Sequence, residues 1–167
     1  GPLNKSIAYR LNASYENSES FREVVKRERY YINPSFLFNL SPKTQITLQG
    51  DIMNDNWTPD FGTILIGKQI YDVPRGKYYG AVWSNGNTKT SSASALLNHS
   101  FNKNWKLNFN SSYQNYDREW KGTERIQITN PNGTWSRPLG QYKNLEAILG
   151  EQISLQGCFT TGKIKHQ

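Results

Sequence analysis

Between residues 105 and 116 the chain reads WKLNFNSSYQNY, which puts Trp105, Leu107 and Phe109 on one side of an extended strand and Lys106, Asn108 and Asn110 on the other. Successive strand side chains point to opposite faces, so the pattern specifies a strand with one apolar and one polar face. It runs about twice the length of an ordinary strand. A similar run, ending at Phe101, is joined to it by Asn102-Lys103-Asn104 alone. The apolar face must meet either a protein core or the hydrocarbon of a bilayer, and that choice decides what the chain can fold into.

Six runs alternate in this way, at 7–17, 30–40, 44–55, 88–101, 105–116 and 145–160. In the first, Ile7, Tyr9, Leu11, Ala13 and Tyr15 oppose Arg10, Asn12, Ser14 and Glu16; in the second, Ile32, Phe36, Phe38 and Leu40 oppose Asn33, Ser35 and Asn39. The connections alternate too. "SPK" and "NKN" are tight turns and "TGK" follows the last run, whereas 18–29, 56–87 and 117–144 are long. Short turns at one end and long loops at the other characterise outer-membrane barrels. The expected fold is all-β: a segment of an antiparallel up-and-down transmembrane β-barrel, about six long strands with short periplasmic turns and long extracellular loops.

Composition supports lipid over a core. Only 35% of the 167 residues are hydrophobic, yet there are ten Tyr, seven Phe and five Trp. The polar faces carry mainly Asn, Gln, Ser and Thr, which suit a wet lumen, rather than the Lys and Glu of a solvated sandwich. Tyr30 and Tyr31 at one strand end, and Phe101 and Trp105 at a short turn, are candidates for the membrane-interface aromatics. Six strands are too few to close a barrel, for which about eight is the practical minimum. The chain therefore reads as part of a larger barrel, unless "TILIGKQIYDV" and a hairpin at Asn130-Pro131-Asn132-Gly133 supply further strands.

Other classes fare poorly. No stretch approaches the ~20 apolar residues of a membrane helix. The net charge of +7 is spread over loops rather than concentrated on a helix, which argues against nucleic acid. The single Cys158 permits neither an internal disulfide nor a cysteine zinc site. His99 and His166 are far apart, no acidic pair has metal-ligand spacing and no glycine loop cradles phosphate, so no catalytic residues and no metal site are expected.

Three segments carry a family resemblance: Thr58-Pro59-Asp60-Phe61-Gly62; then Asp72-Val73-Pro74-Arg75-Gly76-Lys77-Tyr78-Tyr79-Gly80; then His99-Ser100-Phe101 with Trp105-Lys106-Leu107. In this order and spacing they resemble TonB-dependent siderophore receptors of the Gram-negative outer membrane. The resemblance implies a 22-stranded barrel with an N-terminal plug, energised through TonB, that imports ferric siderophores. The siderophore is cargo, and no resident cofactor is implied. Residues 1–167 would then be part of the barrel, with no recognisable plug segment, and Gly1-Pro2-Leu3 reads either as a remnant of a cleaved tag or as an internal boundary. "GTILIGKQI" departs from the family pattern, which has a Gly-Ile/Leu-Pro-like element there.

Ligand contacts in such a receptor would come from loops and upper lumen wall. Arg22, Lys26, Arg27, Arg29 and Arg75 are the cationic candidates for an anionic ferric complex; alternatively they form a solvated surface facing lipopolysaccharide. Trp57, Tyr78, Tyr79, Trp83, Trp120 and Trp135 are the aromatic candidates, with loop packing as the alternative. Two competing functions remain at this stage: a soluble or surface β-sheet module for carbohydrate, and a small outer-membrane barrel with a structural or adhesive role.

Overall fold

The computed structural model describes residues 1–128, 132 and 134–166. In chain order the strands are β1 (Ile7–Glu19), β2 (Lys26–Ser41), β3 (Thr44–Trp57), β4 (Leu65–Ile66), β5 (Gln69–Ile70), β6 (Asn85–Ser100), β7 (Trp105–Thr123), β8 (Gln127–Ile128), β9 (Leu139–Gly157), β10 (Phe159–Thr161) and β11 (Ile164–His166). The six long ones form a single sheet in the order β1-β2-β3-β6-β7-β9, antiparallel throughout. The fold is the up-and-down wall expected from the alternation, and it does not close on itself.

The register lines up the apolar faces. Ile7 opposes Phe38, which opposes Ile46, then Leu97, Phe109 and Ile153 in one continuous cross-strand row. Two residues higher, Tyr9, Phe36, Leu48 and Ala95 form the next row. An acidic residue interrupts that face at Glu151, whose carboxylate accepts from Ser111 Oγ at 2.7 Å. Among the described residues no second layer covers this face. Leu11, Ile32, Ile52, Leu149 and Ile153 are all exposed, and among the described residues the buried hydrophobics are Tyr78 and Ile126, both in long connections. A soluble protein could not afford such a surface; a lipid-facing wall requires it.

Three of the short turns use one device. Asn102 Oδ1 accepts from the backbone N–H groups of Asn104 at 2.8 Å and Trp105 at 3.0 Å. Asn4 Oδ1 does the same for Ser6 at 2.8 Å and Ile7 at 2.9 Å. Ser41 Oγ accepts from Lys43 N–H at 3.2 Å. Such side chains mimic a backbone turn, which is why Asn and Ser stand there. Asn4–Ser6 is a turn the alternation did not announce: Gly1 and Pro2 fold back along β1, with Tyr9 N–H donating to Gly1 O at 2.9 Å. After Cys158, β10 and β11 pair as a hairpin, so the chain reverses once more at "TGK".

Pro34 lies inside β2 opposite Leu11 and lacks the N–H a ladder needs. The β2–β3 register skips Asn33 and Pro34, and Asn33 Nδ2 donates instead to Gly50 O at 2.7 Å. Asn12 Nδ2 in turn donates to Asn33 Oδ1 at 3.0 Å, so the polar face repairs the break.

The strands exceed the expected bounds at the long-loop end. β2 starts at Lys26 rather than 30, β7 continues to Thr123 rather than 116, and β9 starts at Leu139 rather than 145. Above a bilayer both faces are wet, so alternation fades while backbone pairing continues. "TILIGKQI" forms the β4–β5 hairpin, turning at Gly67 with φ +59°. β8 pairs parallel with β4, tying two long loops together. The expected hairpin tip at 130–133 lies, apart from Asn132, outside the described residues.

Candidate ligand site on the polar face

Because β1 to β9 alternate, the polar face near the long loops is built from every second residue. One row runs Glu16, Arg29, Asp55, Thr88, Arg118, Asn144; the row above it runs Ser18, Arg27, Trp57, Gly86, Trp120, Tyr142. Cross-strand neighbours on one face lie about 5 Å apart, so these side chains must interact.

They sort into pairs. Arg27 Nε donates to Asp55 Oδ1 at 2.8 Å, and a second guanidinium nitrogen donates to Oδ2, giving a two-pronged bridge. Asp55 is 4% exposed, so it depends on this partner; the same hydrogen bond holds the Arg27 guanidinium above its usual pKa. Arg29 bridges Glu16 at 2.7 Å. Arg118 has no carboxylate partner among the described residues. Its guanidinium lies 4.9 Å from the Trp57 ring centroid, and its buried Nε has no hydrogen-bond acceptor among them. Trp57 is fixed by Nε1–H donating to Thr88 Oγ1 at 3.2 Å and lies across Gly86, where an added Cβ would collide with the indole.

This wall lines a cavity of about 670 Å³ between Glu16, Arg27, Asp55, Trp57 and Arg118, roofed by Lys26, Thr58 and Asp60. With Arg27 and Arg29 paired to Asp55 and Glu16, the lining cations without a carboxylate partner among the described residues are Lys26 and Arg118. Alternation without register did not single out Arg118; only the row Asp55–Thr88–Arg118 brings it to Trp57.

The sequence candidates scatter around this site. Lys26, Arg27 and Trp57 line the cavity, and Arg22 bridges Asp60 at 3.4 Å above it. Arg29 sits one row below Arg27. Trp120 shares the Trp57 row and packs against Phe61 with centroids 5.4 Å apart. Arg75 lies outside the cavity lining, 4.5 Å over Phe21. Tyr78 is 8% exposed and donates to Pro59 O at 2.9 Å, so its ring packs the loop. Tyr79 O accepts from Arg137, while Trp83 and Trp135 are exposed loop residues away from the cavity lining. Of the interface candidates, Tyr30 lies on the apolar face, but its neighbour Tyr31 necessarily points the other way, beside Ser14 and Met53. Phe101 is exposed and packs edge-on to His99 at 4.6 Å; Trp105 stacks on Phe159 at 6.4 Å.

A one-sided apolar wall, short turns at one end and loops tied over a cavity at the other define a segment of a large outer-membrane β-barrel. No family model matches the chain. It is similar to the metal-pseudopaline receptor CntO of Pseudomonas aeruginosa, 26% identical over 96% of this chain and 23% of that protein. It is 27% identical to the catecholate siderophore receptor Fiu of Escherichia coli, over 98% of this chain and 25% of that protein. The crystal structure of the Fiu ferric-catecholate import receptor superposes with TM-score 0.84 at 23% identity, over 99% of this chain and 29% of that one. The ferripyoverdine receptor of P. aeruginosa gives 0.81 at 21%. The chain thus spans about a quarter of the curated relatives it matches. Over nearly its whole length the chain is similar to a stretch of the barrel of these siderophore receptors, and it shares their fold. The relatives are receptors and importers, not enzymes.

Proposed function

We propose that this chain supplies one sector of the wall of a receptor that takes up ferric siderophores, driven through TonB by contacts outside the sector. Its own contribution is ligand recognition below the loops, without bond-making chemistry. The observation that supports this most is the Arg118–Trp57 pair: a cation without a carboxylate partner among the described residues, held over an aromatic ring in a cavity beneath the long loops. Anionic oxygens on a metal chelate accept charge-assisted hydrogen bonds from such a group, and a flat chelating ring stacks on indole.

In the intact receptor, Arg118→Ala is expected to weaken binding of an anionic ferric siderophore about tenfold, the value of one charge-assisted hydrogen bond. Trp57→Ala acts in the same direction. Charge reversal at Arg27 and Arg29 lowers labelled-iron uptake as well, but through loss of the Asp55 and Glu16 partners. Unchanged affinity in Arg118→Ala by equilibrium titration sinks this assignment.

A further inference from the structure

Charge is sharply partitioned along the strands. The register row Ala8–Leu37–Thr47–Leu96–Asn110–Gln152 divides the wall in two. On its short-turn side lie six Lys and no Asp, Glu or Arg; on the loop side fourteen cations face thirteen anions. Nearly all of the +7 excess therefore sits at the short-turn end. Four of the lysines stand one to a turn: Lys5, Lys43, Lys103 and Lys163. Beside each is an exposed apolar side chain, respectively Leu3, Leu40, Phe101 and Ile164. None of the four makes an ion pair among the described residues.

We infer that this rim binds the anionic headgroups of the periplasmic leaflet, with phosphatidylglycerol-type phosphate as the ligand. The inference rests on the outer-membrane placement, in which short turns face the periplasm. Turn lysines without acidic neighbours make a positive collar, and each basic residue near an anionic lipid surface adds about fivefold to the attraction. The adjoining apolar residues select lipid over a soluble polyanion. They anchor at the acyl boundary while the lysine stem reaches past them to the phosphate.

The test uses the intact receptor in detergent, mixed with equal phosphatidylglycerol and phosphatidylcholine, with bound lipids counted by native mass spectrometry. Wild type is expected to retain phosphatidylglycerol preferentially. The combined Lys5→Gln, Lys43→Gln, Lys103→Gln, Lys163→Gln variant is expected to lose that preference about fivefold or more, while the matching four Lys→Arg changes keep it. An unchanged preference in the Gln variant overturns the proposal. So does a variant that keeps its lipids but loses retention on purified cell-wall sacculi, which would assign the rim to peptidoglycan. If the fourfold variant does not insert, the four single variants are read instead; each should lower the preference, and no change in any of them overturns it. Ferric-siderophore binding is scored separately on the same samples. A receptor that binds no siderophore yet keeps its lipid preference leaves this inference standing and removes only the transport reading.

Discussion

The cavity wall turns on a few side chains whose partners are unequal. Asp55 is nearly buried while Arg27 is half exposed, so removing either leaves a different remainder. Arg27→Ala strands a carboxylate and is expected to cost about 2 kcal/mol or more, read from the shift of the barrel's unfolding midpoint in urea. Asp55→Asn combined with Arg27→Gln leaves no buried charge and should recover most of that loss. Tyr78 carries a different liability. Burial pushes its phenol above the usual value near 10, meaning that the folded loop holds the proton more tightly than the unfolded one does. Loop stability is therefore full below pH ~10 and declines as pH rises beyond it. Protease nicking of the 58–84 loop should accelerate above that pH in the wild type, and Tyr78→Phe should abolish the pH dependence while costing about 1 kcal/mol for the lost hydrogen bond to Pro59 O.

At the scale of elements, the six long strands and their short turns were legible because each half-lipid strand must alternate. The pattern at 44–55 returned β3 to within two residues. What escaped was everything governed by pairing rather than by facing. Lys26 to Arg29 and the stretch from Asp117 to Thr123 lie above the bilayer and show no useful alternation, so the sequence understates β2 and β7. The candidate site was half legible for the same reason: Trp57 and Arg27 were candidates by residue type, whereas Arg118 required the register that sets it across from Thr88. Gly86 is the element-level dependency. Gly86→Ala is expected to swing Trp57 off the strand, shift its fluorescence emission and reduce siderophore affinity as Trp57→Ala does, at about 1–3 kcal/mol of stability. A spectrum and affinity identical to wild type would show that the indole does not need that gap.

On the scale of the whole molecule, a sheet with bare faces and open edges has no independent stability in water. The backbone groups on the free sides of β1 and β9 need neighbouring strands, and the apolar face needs lipid. Without detergent the isolated chain is expected to aggregate and show no cooperative thermal transition; a soluble, cooperatively folding monomer would mean that Phe36, Phe38, Leu107 and Phe109 do not face lipid. The loops behave otherwise. β8 runs parallel to β4, Leu65 N–H donates to Ile126 O at 3.1 Å and Gly67 N–H to Ile128 O at 2.8 Å, so residues far apart in the chain share one small sheet. Under the proposed receptor role, whoever grafts loops to change the cargo inherits that bond. A donor loop spliced in at 58–84 alone arrives without its mate from 124–138, and only the two exchanged as a matched set will transplant a specificity.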